Sequence, residues 1–339
     1  MSGTIDIFKL KFSVFGHGFE DTRADSGDGA VIINKKINFD AQYGAIDSTG
    51  QFLWLAGLNG IRKYDLETLE EIAQSSVTRD TDSRIYHPNN VANNYGLIFQ
   101  GTDFYLIDLT SDAVINSGTV NASFNYADLV YSNGKFYFVT LGKEQSQNYV
   151  YIVNESDLAL TTNPFDDWRT DCCGWVDVNK IRAGFVPSWF YQYRDICGLD
   201  ASGTTVWQVN AQTAGSGGFP NINFEGGWGA NGYLWIPCYK YGKWRMGAFP
   251  YSAQADFETP KPLRVFGTFP SRPWFKPGYK YAVAHSTGRN KVAFATDLGV
   301  YLGDYHDLVK ITDDIQYPIA VDDQTTVTVD GTFTYVYKG

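Results

Sequence analysis

The chain predicts an all-β fold built from one repeated unit. Three observations carry this. Aromatic residues make up 16% of the 339 residues and glycine occurs 34 times, a combination that suits pleated strands and the turns between them. Short alternating apolar runs are separated by turn signals such as Ser-Asn-Gly, Ala-Asn-Gly and Ser-Thr-Gly, as expected for hairpins. A strand ending at a turn position also recurs at a near-constant interval. The positions are Asp65, Asp108, Asn154, Asp200, Pro250, Asp304 and Lys338, spaced 43, 46, 46, 50, 54 and 34 residues apart.

The elements follow in order. In the first unit "YGAIDSTG" turns into "QFLWLAG", and "GIRKYD" turns at Asp65 into "LETLEEI". The second ends its third strand at Asp108 in "DFYLIDLTSDAVI". The third pairs "YADLVYSNG" with "KFYFVTL" and turns at Asn154 in "NYVYIVNESDLAL". The fourth turns at Asp200 in "RDICGLDASGTTVWQV". The fifth has "GGWGANG", "YLWIPCY" and then Pro250 in "WRMGAFPYSAQADFE". The sixth has "YAVAHSTGRN", "KVAFATD" and then Asp304 in "GVYLGDYHDLVKI". Each unit reads as four short antiparallel strands, A to D. Five of the seven marker positions are Asp or Asn. Their short side chains bond the backbone two residues on and start tight turns, so they read as turn formers and not as ligands.

The seventh unit, "YPIAVDD", "TTVTVDG" and "TFTYVYKG", has three strands. Thr4–Phe15, "TIDIFKLKFSVF", alternates cleanly and belongs to no unit. It is expected to supply the missing outer strand, closing a ring and removing an exposed edge. Four-stranded units of roughly 40–50 residues mark propeller blades. On these residues the chain resembles seven-bladed β-propellers with an N-terminal closing strand, as a single domain over residues 1–339. It shows no regular Trp-Asp signature, no double-glycine kelch pattern and no repeated Ser-x-Asp-x-Gly-x-x-Trp box. The resemblance is therefore to the superfamily.

The resemblance implies that D-to-A and B-to-C connections share one face, with A-to-B and C-to-D turns on the other. The C-to-D turns "DLET", "DLTSD", "NESD" and "DASG" are tight. The A-to-B turns are mostly tight, except around "NKIRAGFVPS". The D-to-A connections are long, near 16–37, 160–174, 210–224 and 266–280. Long loops on a rigid scaffold are where binding tends to reside.

Eight of the nine tryptophans lie between Trp168 and Trp274. Trp54, Trp207 and Trp235 alternate with apolar residues and read as core. Trp168, Trp175 and Trp274 fall in or beside the long loops, with Arg169 and Arg272 close in sequence. Trp with Arg is the composition of interface hot spots. Trp faces with Asn and Asp as hydrogen-bonding partners also suit sugar rings, and loop aromatics equally seal a propeller mouth. Cys172 and Cys173 precede the first strand of unit four and so belong to the same loop face. The candidate partner- or ligand-binding set is Trp168, Arg169, Cys172, Cys173, Trp175, Arg272 and Trp274.

The adjacent cysteines read as a loop device: free thiols, a vicinal disulfide, or partners of Cys197 or Cys238. Neighbouring cysteines do not readily span one tetrahedral metal site, and His17, His87, His285 and His306 are scattered through the units. A nucleophilic cysteine would need a positioned base, and none is visible. Cys197 and Cys238 sit in strand regions and read as small buried hydrophobes.

Other motifs fail as sites. "AGSGGFP" lacks the lysine of a phosphate loop. Asp25–Gly29 and the stretch around Asp313 lack calcium-loop spacing. Asp166 and Asp167 are consecutive, which sets no acid/base geometry. No catalytic residue, metal or cofactor is assigned. The net charge is −10, which repels phosphate backbones and argues against a nucleic-acid partner. No apolar run approaches the roughly 18 residues of a membrane span, so no membrane insertion is expected. "MSGTIDIFKLKFSVFG" lacks a basic start and a cleavage site, so no secretory signal is read.

The functional expectation is a non-enzymatic interaction module docking a protein partner within a larger assembly. Its low Lys and Met content and Asn/Gly/Tyr-rich strands fit a virion component, such as a phage tail or decoration protein. A carbohydrate-binding propeller is the alternative, with a glycan on Trp168, Trp175 or Trp274. A hydrolase or lyase with axial carboxylates is the second alternative.

Overall fold

The computed structural model describes residues 33–47, 49–57, 59–75, 77, 84–86, 94–119, 129–132, 135–140, 149–164, 172–174, 183–187, 194–199, 205–210, 228–230, 233–240, 243–250, 264–271, 291–303, 308–322 and 324–338. Among them are 27 strands and no helix. After β1 (Ile33–Ile37), the first sheet is β2 (Ala41–Ile46), β3 (Phe52–Gly57), β4 (Gly60–Asp65) and β5 (Glu71–Gln74). The second is β6 (Arg84–Tyr86), β7 (Tyr95–Gln100), β8 (Asp103–Asp108) and β9 (Val114–Thr119). The third is β10 (Leu129–Ser132), β11 (Lys135–Thr140), β12 (Tyr149–Asn154) and β13 (Leu160–Pro164). The fourth is β14 (Cys172–Gly174), β15 (Ala183–Pro187), β16 (Arg194–Leu199) and β17 (Thr205–Asn210). The fifth is β18 (Trp228–Ala230), β19 (Tyr233–Lys240), β20 (Lys243–Pro250) and β21 (Arg264–Phe269). The sixth is β22 (Val292–Thr296), β23 (Gly299–Gly303) and β24 (Leu308–Thr312), and the seventh begins with β25 (Tyr317–Val321), β26 (Thr325–Val329) and β27 (Thr334–Lys338). Each sheet is an antiparallel meander in chain order, and β1 pairs with β27 to complete the seventh.

One expectation is corrected here. The place beside β27 given to Thr4–Phe15 is held by Ile33–Ile37, in register from Ile33 opposite Lys338 to Ile37 opposite Thr334. Thr4–Phe15 itself lies outside the described residues. Proximity explains the choice: β1 leads into β2 through Asn38–Asp40 alone. Residues 16–37 are therefore not one long D-to-A loop. The sixth sheet has three described strands, and the A strand expected in "YAVAH" lies outside the described residues.

The sheets stack face to face, which explains why strands such as "FLWLAG" are apolar throughout. Successive residues of a strand point to opposite faces. Leu53 and Leu55 of β3 join Ile319, Ala320, Val327 and Val336 of the seventh sheet in one buried cluster. Trp54 and Ala56 of the same strand join Ile85, Ile98 and Ile107 of the second sheet in another. A strand buried on both faces loses the apolar–polar alternation and gains continuous hydrophobicity. Neighbouring sheets meet through their inner strands: β2 packs on β25 and on β6, and β14 on β18, while β22, the first described strand of its sheet, packs on β25.

The recurrent turn residues act as the sequence predicts. Asp65 Oδ1 accepts the amides of Thr68 and Glu67 at 2.8 and 3.0 Å. Asp108 Oδ1 accepts those of Thr110 and Ser111 at 2.8 and 3.0 Å. Each turn then closes through a residue with left-handed backbone, Leu69 at φ 61°, Asp112 at 59° and Leu158 at 55°. Their amides donate to the carbonyls of Asp65, Asp108 and Asn154 at 2.8, 2.8 and 2.9 Å.

These turns also receive the preceding sheet. Trp54 Nε1 donates to the Leu109 carbonyl at 2.8 Å, and Lys63 Nζ donates to the Thr110 carbonyl. Asn116 Nδ2 donates to the Leu158 carbonyl. Lys35 Nζ of β1 donates to the Glu67 carbonyl at 2.7 Å. The C-to-D turn is thus both a hairpin end and the socket for a neighbour's donor, a use that favours keeping one turn geometry from unit to unit.

Candidate functional site

The connectivity of an antiparallel meander puts B-to-C and D-to-A connections at one end of every sheet. The described sheets therefore define the face on which the sequence places function. The D-to-A connections run 165–171 between β13 and β14 and 211–227 between β17 and β18. They are Asn38–Asp40 between β1 and β2 and 313–316 between β24 and β25. The expected loop bounds shrink accordingly, because 160–164, 172–174 and 266–269 are strand. The A-to-B loop expected in "NKIRAGFVPS" likewise contains β15 at its end.

Trp168, Arg169, Trp175, Arg272 and Trp274 lie outside the described residues, so the structure does not bring them together. Cys172 and Cys173 are described and correct the reading. They are not in a loop ahead of the fourth sheet but in its first strand, β14, opposite Phe185 and Gly184. Gly184 in turn lies opposite Cys197 of β16. Cys173 and Cys197 therefore occupy one row of the sheet with a strand between them. Two strand spacings are about 9.5 Å, beyond the roughly 7 Å Cα limit for a disulfide. That row thus rules out a direct Cys173–Cys197 bridge at this register. Cys238 lies in β19.

The described part of this face comes from the sixth, seventh and first sheets. Asp330 opens the B-to-C turn between β26 and β27. Its Oδ1 accepts the Thr332 and Phe333 amides at 2.8 and 2.9 Å, and its Oδ2 accepts the Tyr335 hydroxyl at 2.6 Å. Burial pushes its carboxyl up, but the bonds from Tyr335, Phe333 and Thr332 and the charge of Lys36 outweigh this and hold it below the usual range. The same bond pushes the Tyr335 phenol up to about 12. Lys36 Nζ sits 3.2 Å above the centroid of the Phe333 ring. Asp40, in the β1–β2 connection, has its carboxyl raised by burial and by Asp330. A carboxylate holding three donors is satisfied as a turn former, not poised as a base.

Beside it, the sixth sheet exposes Leu298 by 43% and Ile315 by 56%. Leu298 lies in the β22–β23 turn and Ile315 in the β24–β25 connection. They share that end with Asp297, Asp313 and Asp314, of which Asp313 pairs with Lys310. In the sequence, the stretch around Asp313 is weighed only as a calcium loop, and Leu298 and Ile315 are given no role. Their signal is an apolar residue within an acidic turn. Among the described residues, no group of three or more His, Cys, Asp and Glu side chains could hold a metal ion. Nor is any described helix long and apolar enough to cross a membrane.

Four-stranded antiparallel sheets stacked face to face, with their first strands meeting from sheet to sheet, define a β-propeller. Solved structures agree. The chain is similar to the Cps50 (Swd1) β-propeller domain of Myceliophteria thermophila, with TM-score 0.59 and 13% identity over 91% of this chain and 100% of that one. It is similar to BamB of Moraxella catarrhalis, with TM-score 0.52 and 11% identity over 91% and 100%. Hydrazine synthase of Kuenenia stuttgartiensis gives TM-score 0.57 and 9% identity over 95% and 99%. At these identities the likeness shows the fold alone. No protein-family model and no curated protein matches the chain.

Proposed function

We propose that this propeller is a non-enzymatic scaffold that docks a protein partner within a larger assembly, through the face carrying its B-to-C and D-to-A connections. The observation that carries the reading is the exposed pair Leu298 and Ile315, set among Asp297, Asp313 and Asp314 on that face. Apolar side chains exposed beside charged ones are the kind of surface a protein partner buries. Trp168, Arg169, Trp175, Arg272 and Trp274 extend the same surface in this reading, and Cys172 and Cys173 mark its inner margin. The similar structures bear names as different as Swd1, BamB and hydrazine synthase. They support a scaffold on which function is grafted locally, and name no single activity. Within this reading the assembly is a virion, with the chain as a tail or decoration component.

Sedimentation of native source lysate, with the chain followed by mass spectrometry, tests the proposal. Salt-stable co-migration with a large particle is the expected result. A free monomer overturns it. The glycan reading then predicts that Trp274→Ala abolishes binding on a glycan array while the protein stays folded.

A further inference from the structure

The connection from β24 to β25 inverts the usual order of burial. Ile315 is 56% exposed, while the next residue, Gln316, is 2% exposed. Burial favours isoleucine over glutamine, so a connection free to settle would place them the other way. The short connection into β2 has the ordinary arrangement: Phe39 is buried, Asn38 is exposed and Asp40 is half-buried.

Two features hold the inversion. The first is a receptor for Gln316. Its Oε1 accepts the Thr328 hydroxyl of β26 and, at 2.8 Å, the Tyr337 hydroxyl of β27. Both of those residues are buried. Turning Gln316 outward and Ile315 inward would take this acceptor from two buried hydroxyls, which an isoleucine does not replace. The second is a bulge. The pairing of β25 with β26 shifts register between Pro318 and Ala320. Ile319 and Ala320 both stay in the buried cluster shared with the first sheet, and the extra residue offsets the alternation of the chain before it by one position.

We propose that Gln316 is a positioning residue for the docking face: its buried anchor holds residues 313–316 so that Ile315 stands out to meet the partner. The inference rests on the docking reading above and supplies the device that displays the apolar residue. Asp313 and Asp314, exposed in the same connection, are presented with it.

Two anchor variants test this. Gln316→Met keeps the length of the side chain and removes the amide oxygen. Thr328→Val removes one donor and leaves Gln316 in place. Each is compared with the parent and with Ile315→Ser. The readouts are hydrogen exchange of the purified full chain and co-sedimentation with the particle in lysate of source cells producing the variant. Both anchor variants are expected to exchange about tenfold faster at residues 313–316, with β3 unchanged as evidence of an intact fold. Their co-sedimenting share is expected to fall as it does for Ile315→Ser. If Gln316→Met does not fold, Thr328→Val carries the same comparison. Parental exchange at 313–316 overturns the inference, and so does faster exchange with a parental co-sedimenting share. In either case, loss of co-sedimentation in Ile315→Ser leaves the docking reading standing. Full co-sedimentation of Ile315→Ser overturns that reading and the inference with it.

Discussion

Trp54 Nε1 donates to the carbonyl of Leu109 at 2.8 Å, across the boundary between the first and second sheets. Both residues are fully buried, so the bond forms away from competing water. Trp54→Phe keeps most of the ring and loses the donor. It is expected to destabilise the protein by about 1–3 kcal/mol, the cost of a buried acceptor losing its partner. Trp54→Ala adds a cavity and is expected to cost about 3–5 kcal/mol. Denaturant midpoints of the two variants check the order and the sizes.

Asp65 carries a pH signature. Its carboxyl is held below the ordinary range by the Thr68 amide first, against a smaller opposing effect of desolvation, with help from the Thr68 hydroxyl, the Glu67 amide and Lys338. A depressed carboxyl contributes stability above its unfolded value, near 3.9, and loses it as pH falls through the folded value. Asp65→Asn should therefore melt below the parent at neutral pH, with the gap closing under acid. A gap in Tm that stays constant from pH 7 to pH 2 would contradict this.

Tyr335 should titrate late. The bond to Asp330 is the main cause that raises its phenol to about 12. A raised group contributes stability below its unfolded value, near 10, and loses it as pH rises through the folded one. The absorbance difference between the parent and Tyr335→Phe should show a phenol ionising near 12. In an Asp330→Asn background the same difference should move toward the ordinary value, about 10.

Two glycines of B-to-C turns should respond differently to alanine. At Gly299, φ is +115° and an added Cβ would lie 1.9 Å from the Thr312 carbonyl oxygen. At Gly331, φ is +90° and an added Cβ meets nothing within 4 Å. Gly331→Ala pays only for the left-handed backbone, about 1–2 kcal/mol. Gly299→Ala adds a backbone collision and should cost about 3 kcal/mol or more. Equilibrium unfolding of both variants separates the terms.

The blades were legible in the sequence because one local device recurs. Asp65, Asp108 and Asn154 end the third strands β4, β8 and β12, and Asp200 and Asp304 directly follow β16 and β23. Closure was less legible. Thr4–Phe15 alternates over twelve residues, whereas "INKKI" is five residues long and rich in polar side chains. What decides the pairing is the short link to β2 and the register with Thr334–Lys338, neither of which is a property of the strand itself. Cys172–Gly174 reads as loop in the sequence because three residues, one of them glycine, are too few to show a strand period. The candidate face was legible where long connections advertise it. Leu298 and Ile315 were not, since single apolar residues in acidic turns look unremarkable until the fold places them on one end.

The docking face is tested most directly by carboxyl footprinting of the native assembly against the purified chain. The account predicts that Asp313, Asp314 and Asp330 are shielded in the assembly, while Asp65, Glu67 and Asp157, on the opposite turns, label equally in both. Shielding confined to Asp65, Glu67 and Asp157 would contradict it, as would labelling that is the same everywhere.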